Sequence, residues 1–146
     1  MTILIFTVLV GLFMAFAIGA NDVANGMATA VGAKAITPKQ AALLASVLEF
    51  SGAAMFGATV TKTIASGIIS TAHIQNPNYI IYGALSALLA AGVWVMVATY
   101  FGMPVSTTHS IIGGMIGFGL VSGGVKVVYW SKLISIVLSW VISPIA

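Results

Sequence analysis

From Thr63 to Val125 the chain contains no Asp, Glu, Lys or Arg, and the only side chains there that ionise near neutral pH are His73 and His109. A soluble surface cannot be built from such a stretch, because water-facing positions need polar and charged groups that are absent. The rest of the chain agrees. Of 146 residues 60% are hydrophobic and 5% charged, and the mean hydropathy is +1.16. The apolar runs have the length of membrane-crossing helices, so the fold class is all-α integral membrane, multi-pass, in the cell membrane. Five lysines stand against Asp22 and Glu49, with no arginine. Such sparse cations orient a chain at membrane edges and make no nucleic-acid footprint. The absence of cysteine excludes disulfides, thiolate metal sites and cysteine nucleophiles. The N-terminal apolar run ends in "AFAIGA" but lacks a basic leader, and further spans follow. It therefore reads as structure rather than as a signal peptide.

Residues 1–146 form a single transmembrane domain, with spans expected near 2–32, 39–68, 79–101 and 128–146. As one straight helix the first run would be about 48 Å long against a hydrocarbon core of about 30 Å. It must tilt strongly or break, and "GAND" at Gly19–Asp22 is where a break is expected. Thr37 and Pro38 look like an N-cap and first helical residue after a lysine-bearing loop. Glu49 would then lie about 16 Å into the bilayer, near the midplane and facing protein or a cavity. Ser70–Asn78 reads as a polar turn. Gly102 and Pro104 break the chain again, and a glycine-rich helix starts near Ser106. A re-entrant hairpin over residues 104–124 is expected. It would place Lys34, Lys39 and Lys126 on one face, cytoplasmic by the positive-inside rule, with the N-terminus outside. The last run is expected to stop inside a helix, as in a fragment or one part of a larger membrane protein.

The chemistry lies in the polar residues of these spans. A carboxylate at the centre of a membrane helix costs about 2.5–3.5 kcal/mol on insertion scales, so Asp22 and Glu49 need partners. Either neighbouring hydroxyls or Lys62 satisfy them structurally, or their oxygens serve a cation, as ligands for sodium or as a proton relay. "PVSTTH" is the complement: Ser106, Thr107 and Thr108 at a helix start form either plain caps or an anion site of hydroxyls and free N–H groups. His109 has no second His or Cys spaced for a metal; it forms structural hydrogen bonds or transfers protons. Adjacency of Ser106 and His109 gives no nucleophile–base geometry, so no enzyme is read here. Lys62 in "GATVTKT" lacks the glycine of a phosphate-binding loop and is expected to snorkel or pair with a carboxylate. His73 is expected to be solvated.

Three stretches, "GANDVANGMATAVGAKAIT" from Gly19, "EFSGAAMFGATVTKTIASGI" from Glu49 and "GMPVSTTHSIIGG" from Gly102, resemble the inorganic phosphate transporter (PiT) family of sodium- or proton-coupled symporters. The resemblance implies one half of an inverted repeat, similar to the N-terminal copy, with the second half as partner and a homodimer left open. It implies phosphate binding by Asn21, Asp22, Asn25, Ser106, Thr107 and Thr108, and ion coupling by Asp22 and Glu49. No cofactor is implied beyond the coupling ion, sodium or proton. Sulfate or another tetrahedral oxyanion is the alternative substrate, and a non-transporting half-subunit or truncated fragment the alternative role. If the motifs form one site, Asp22 and Thr107 must approach within roughly 10 Å.

Overall fold

Thr37 starts the second helix as a capping box: its hydroxyl accepts from the Gln40 N–H, Gln40 Oε1 accepts from the Thr37 N–H, and Pro38 holds the first helical position. This closes the turn after α1 (Thr2–Gly32) and begins α2 (Pro38–Gly67). The order continues with α3 (Pro77–Tyr100), α4 (Thr107–Gly123), one 3-10 turn (Gly124–Val127) and α5 (Trp130–Ile142). The computed structural model describes residues 1–69 and 77–145, with backbone alone for 59–67 and 77. His73 and the Lys62 side chain fall outside the described residues. Among the described helices four are long and apolar enough to cross a membrane. The last expected span is represented by α5, which at 13 residues is shorter.

The core is a three-helix layer of α1, α3 and α4. Val10, Met14, Ala17 and Asn21 are buried along α1, a spacing of three and four residues that forms one stripe. That stripe lies on α3, where Leu85, Ala87, Ala91, Val95 and Ala98 are buried. α1 and α3 run parallel, since Gly92 lies at Phe13 and Met14 while Thr99 lies at Asn21. α4 returns antiparallel along α3, with Gly114 against Ala87 and Gly83 against Phe118. At Gly114 the approach requires glycine: a Cβ there would stand 2.6 Å from the Ala87 carbonyl oxygen.

Two expectations need correction. α1 does not break at Gly19–Asp22 but runs as one helix of 31 residues. Asn and Asp disrupt helices by bonding to nearby backbone, and here Asn21 and Asp22 bond instead to groups 78 to 85 residues away. Gly19 is not among the positive-φ glycines, so nothing local turns the chain. Nor do residues 104–124 form a hairpin by themselves. Residues 107–123 are one helix, and the return arm is α5, whose Trp140 ring reaches back to 3.6 Å from the His109 ring. The reversal at 124–129 packs on the end of α2, where Val128 bridges Ile69 and the Tyr129 N–H donates to the Ile68 carbonyl at 3.1 Å. Lys126 therefore lies at the opposite end of α2 from Lys34 and Lys39, and the shared lysine face does not exist.

Candidate functional site

The expected break at Gly102–Pro104 is present and well specified. Gly102 has φ +66°; its N–H donates to the Thr99 carbonyl at 3.0 Å and the Met103 N–H to the Ala98 carbonyl at 2.8 Å. This is the Schellman arrangement that closes a helix C-terminus through a left-handed glycine. Pro104 follows and cannot continue the helix. Val105 leads to Ser106, whose extended backbone (φ −81°, ψ 119°) makes it the N-cap of α4, its hydroxyl accepting from the His109 N–H at 3.3 Å. The turn lies beside Asn21, with α1 continuing about 16 Å further to Gly32 at 1.5 Å per residue. α3 thus ends, and α4 begins, well short of the α1 terminus.

Asp22 meets the start of α4 there. The Thr107 hydroxyl donates to Asp22 Oδ2 at 3.2 Å, joining residues 85 positions apart. Both are half-buried, and Asp22 has no cationic side chain as partner among the described residues. Hydroxyls further along these helices are consumed by their own helix: Thr7, Ser46, Ser51 and Ser110 each donate to the carbonyl four residues earlier. At the first turn of α4 no helical carbonyl precedes by four, which leaves Thr107 for Asp22 and Thr108 exposed without a side-chain partner among the described residues. The unpaired N–H groups of that turn put the positive end of α4 against the carboxylate.

Asn21 and Asn25 behave differently from each other. Asn21 is 4% exposed. Its Nδ2 donates to Thr99 Oγ1 at 2.9 Å and to the Met103 carbonyl at 3.3 Å, and its Oδ1 accepts from Asn25 Nδ2 at 3.0 Å and from the Val105 N–H at 3.3 Å. Asn25 is exposed and lines a cleft of about 540 Å³ together with Asn21, Thr99, Met103, Gly102 and Pro104. A larger cavity of about 760 Å³ lies between α3 and α4, lined by Ser86, Trp94, Ser106, His109 and Ser110 among others. Neither cavity is lined by Asp22 or Thr107. Sequence reasoning missed Thr99, and the only signal for it was a lone hydroxyl just before the Gly102 break.

Glu49 does not join this group. It is exposed on α2 and has no hydrogen bond or ion pair with a described residue, so the expectation that protein faces it is not met by the described part of this chain. It lies about 17 Å along α2 from Pro38, and Asp22 about 15 Å along α1 from Gly32, so the two carboxylates are at similar distances from the α1–α2 turn.

Residues 18–146 match the phosphate transporter family. The chain belongs to that family. It is 59% identical over 142 residues to a candidate phosphate permease of Pyrococcus abyssi, covering 97% of this chain and 35% of that protein. It is 54% identical over 140 residues to inorganic phosphate transporter 2-1, chloroplastic, of Arabidopsis thaliana, covering 95% of this chain and 24% of that protein. A solved structure titled a sodium-dependent phosphate transporter superposes with a TM-score of 0.93 at 60% identity, over 99% of this chain and 36% of that one. The chain therefore spans about a third of the Pyrococcus abyssi protein and of the solved structure and about a quarter of the Arabidopsis thaliana protein, and with its family and four candidate spans it is a multi-pass membrane protein.

Proposed function

We propose that the protein carrying this chain moves inorganic phosphate across the membrane as a secondary transporter coupled to sodium or protons. The observation that supports it most is the Thr107–Asp22 contact at the N-terminus of α4. It sets anion-binding chemistry, hydroxyls and free N–H groups, directly beside a carboxylate that attracts a cation. A cation at Asp22 offsets the repulsion between carboxylate and phosphate, so each ligand favours the other's binding. Ser106, Thr107 and Thr108 would then face phosphate, Asp22 the cation, and Asn25 the neighbouring cleft. Glu49 would contribute to ion coupling from α2, against a surface supplied by the remainder of a transporter the length of its relatives. A second half bearing its own motif copy would complete the site.

The test is uptake of radiolabelled phosphate by the complete protein in lipid vesicles under imposed sodium or proton gradients. Uptake stimulated by one gradient supports the proposal, and uptake indifferent to both sinks the coupled mechanism. Sulfate satisfies the same hydroxyls, so competition by sulfate as strong as by unlabelled phosphate would reassign the substrate.

A further inference from the structure

We propose that Asn21 is a positioning residue: its amide clamps the α3–α4 turn onto α1 and so holds Thr107 beside Asp22, without touching the transported ion or anion. The inference rests on the Asp22–Thr107 pair being the site, as proposed above. A side-chain amide offers two N–H donors and two oxygen lone pairs. All four are used in Asn21, by Thr99, Met103, Asn25 and Val105, and the residue is 4% exposed. It borders the cleft that Asn25 lines, but to ligate phosphate there it would have to surrender one of these four bonds.

The amide orientation is dictated by its neighbours. The Met103 carbonyl can only accept and the Val105 N–H can only donate, so exchanging Oδ1 and Nδ2 would set oxygen against oxygen and N–H against N–H. The Thr99 hydroxyl is itself fixed, because it donates to the Val95 carbonyl at 2.8 Å and has only its lone pairs left for Asn21. These bonds reach both sides of Pro104: Met103 closes α3, and Val105 stands two residues before Thr107. Asn21 directly precedes Asp22. The clamp thus joins the two backbones immediately next to the Thr107–Asp22 contact, where α3 and α4 have no helical bonds between them. The fourth bond orients Asn25, leaving that residue's own Oδ1 toward the cleft.

The test uses the complete transporter in lipid vesicles. Cysteines are introduced at exposed Thr29 and Phe101 for spin labelling, in a complete transporter otherwise cleared of cysteine. In the absence of phosphate, Asn21→Ala should broaden the distance distribution between α1 and the turn, and Thr99→Val should do so less. Apparent phosphate affinity should fall about tenfold for Asn21→Ala and about threefold for Thr99→Val, as expected for several and for one lost hydrogen bond. The combined variant should be no weaker than Asn21→Ala alone, because both act through one clamp. An unchanged distance distribution in Asn21→Ala overturns the proposal. So do losses that add, which would mark Asn21 as a direct ligand. If Asn21→Ala does not insert, Asn21→Asp carries the same test: it keeps the Val105 and Asn25 bonds, loses those to Met103 and Thr99, and should broaden the distances by an intermediate amount. The distances are read without transport, so failure of phosphate uptake by the unmodified protein would remove the proposed function and leave the clamp standing.

Discussion

Asp22 and Glu49 carry the same charge at similar heights on neighbouring helices, yet they stand in different surroundings. Asp22 lies where three helices meet, half-buried, with a hydroxyl and a helix N-terminus directed at it. Glu49 lies on a helix whose only described buried residues are Ala41 and Ala45, with no partner among the described residues. The difference teaches that depth in an apolar span does not make a site. A site needs a second element whose free polar groups arrive at the same height, and the Schellman closure of α3 followed by Pro104 delivers α4 to Asp22 in that way. No such element of this chain arrives at Glu49.

The largest expected effect tests Asp22 itself. Asp22→Asn should lower ion-driven phosphate uptake by about 100-fold, at the upper end of the roughly 1.5–3 kcal/mol carried by an interaction with a charged group. Transport by the complete protein that stays within threefold would place the coupling charge elsewhere. Next comes packing. Gly114→Val forces a side chain onto the Ala87 carbonyl, and overpacking of this kind costs about 1–3 kcal/mol; a thermal unfolding scan in detergent should show it. Thr107→Val keeps size and removes one hydroxyl, so phosphate affinity measured by binding should fall about tenfold. Normal affinity would return the hydroxyl to being a helix cap. Glu49→Gln should shift the ion concentration for half-maximal uptake only a few-fold, about what a partly screened charge contributes, and leave phosphate affinity unaltered. A loss equal to that of Asp22→Asn would erase the contrast between the two carboxylates.

Much of this was legible in the residues because the relevant forces are local. Hydropathy and the positions of Lys34, Lys39 and Pro38 marked the ends of the first three helices to within a residue or two, and the Thr37 cap followed from residue type. Pro104 marked the second break because a missing N–H acts wherever proline stands. The convergence of Asp22 and Thr107 was anticipated from chemistry: a deep carboxylate and a free helix start each lack what the other supplies. The continuity of α1 was not legible. Gly19, Asn21 and Asp22 look like a break until their partners are known, and those partners, Thr99, Met103, Val105 and Thr107, lie 78 to 85 residues downstream. The side on which Lys126 lies was hidden for a similar reason. It depends on Val128 meeting Ile69, a pairing that neither residue's type announces.

The separation between Asp22 and Thr107 also has a consequence for biogenesis. A ribosome adding about 5–20 residues per second needs roughly 4–17 s to go from one to the other. During that interval α1 leaves the ribosome, with Asn21 holding only Asn25 of its partners and Asp22 still lacking Thr107. What keeps it in the bilayer is the apolar stretch of Thr2–Gly32, whose best window has a mean hydropathy of 2.6. The greasy N-terminal run is a temporary anchor that lets a nascent helix carry an unpaired acid until its hydroxyl donor has been synthesised.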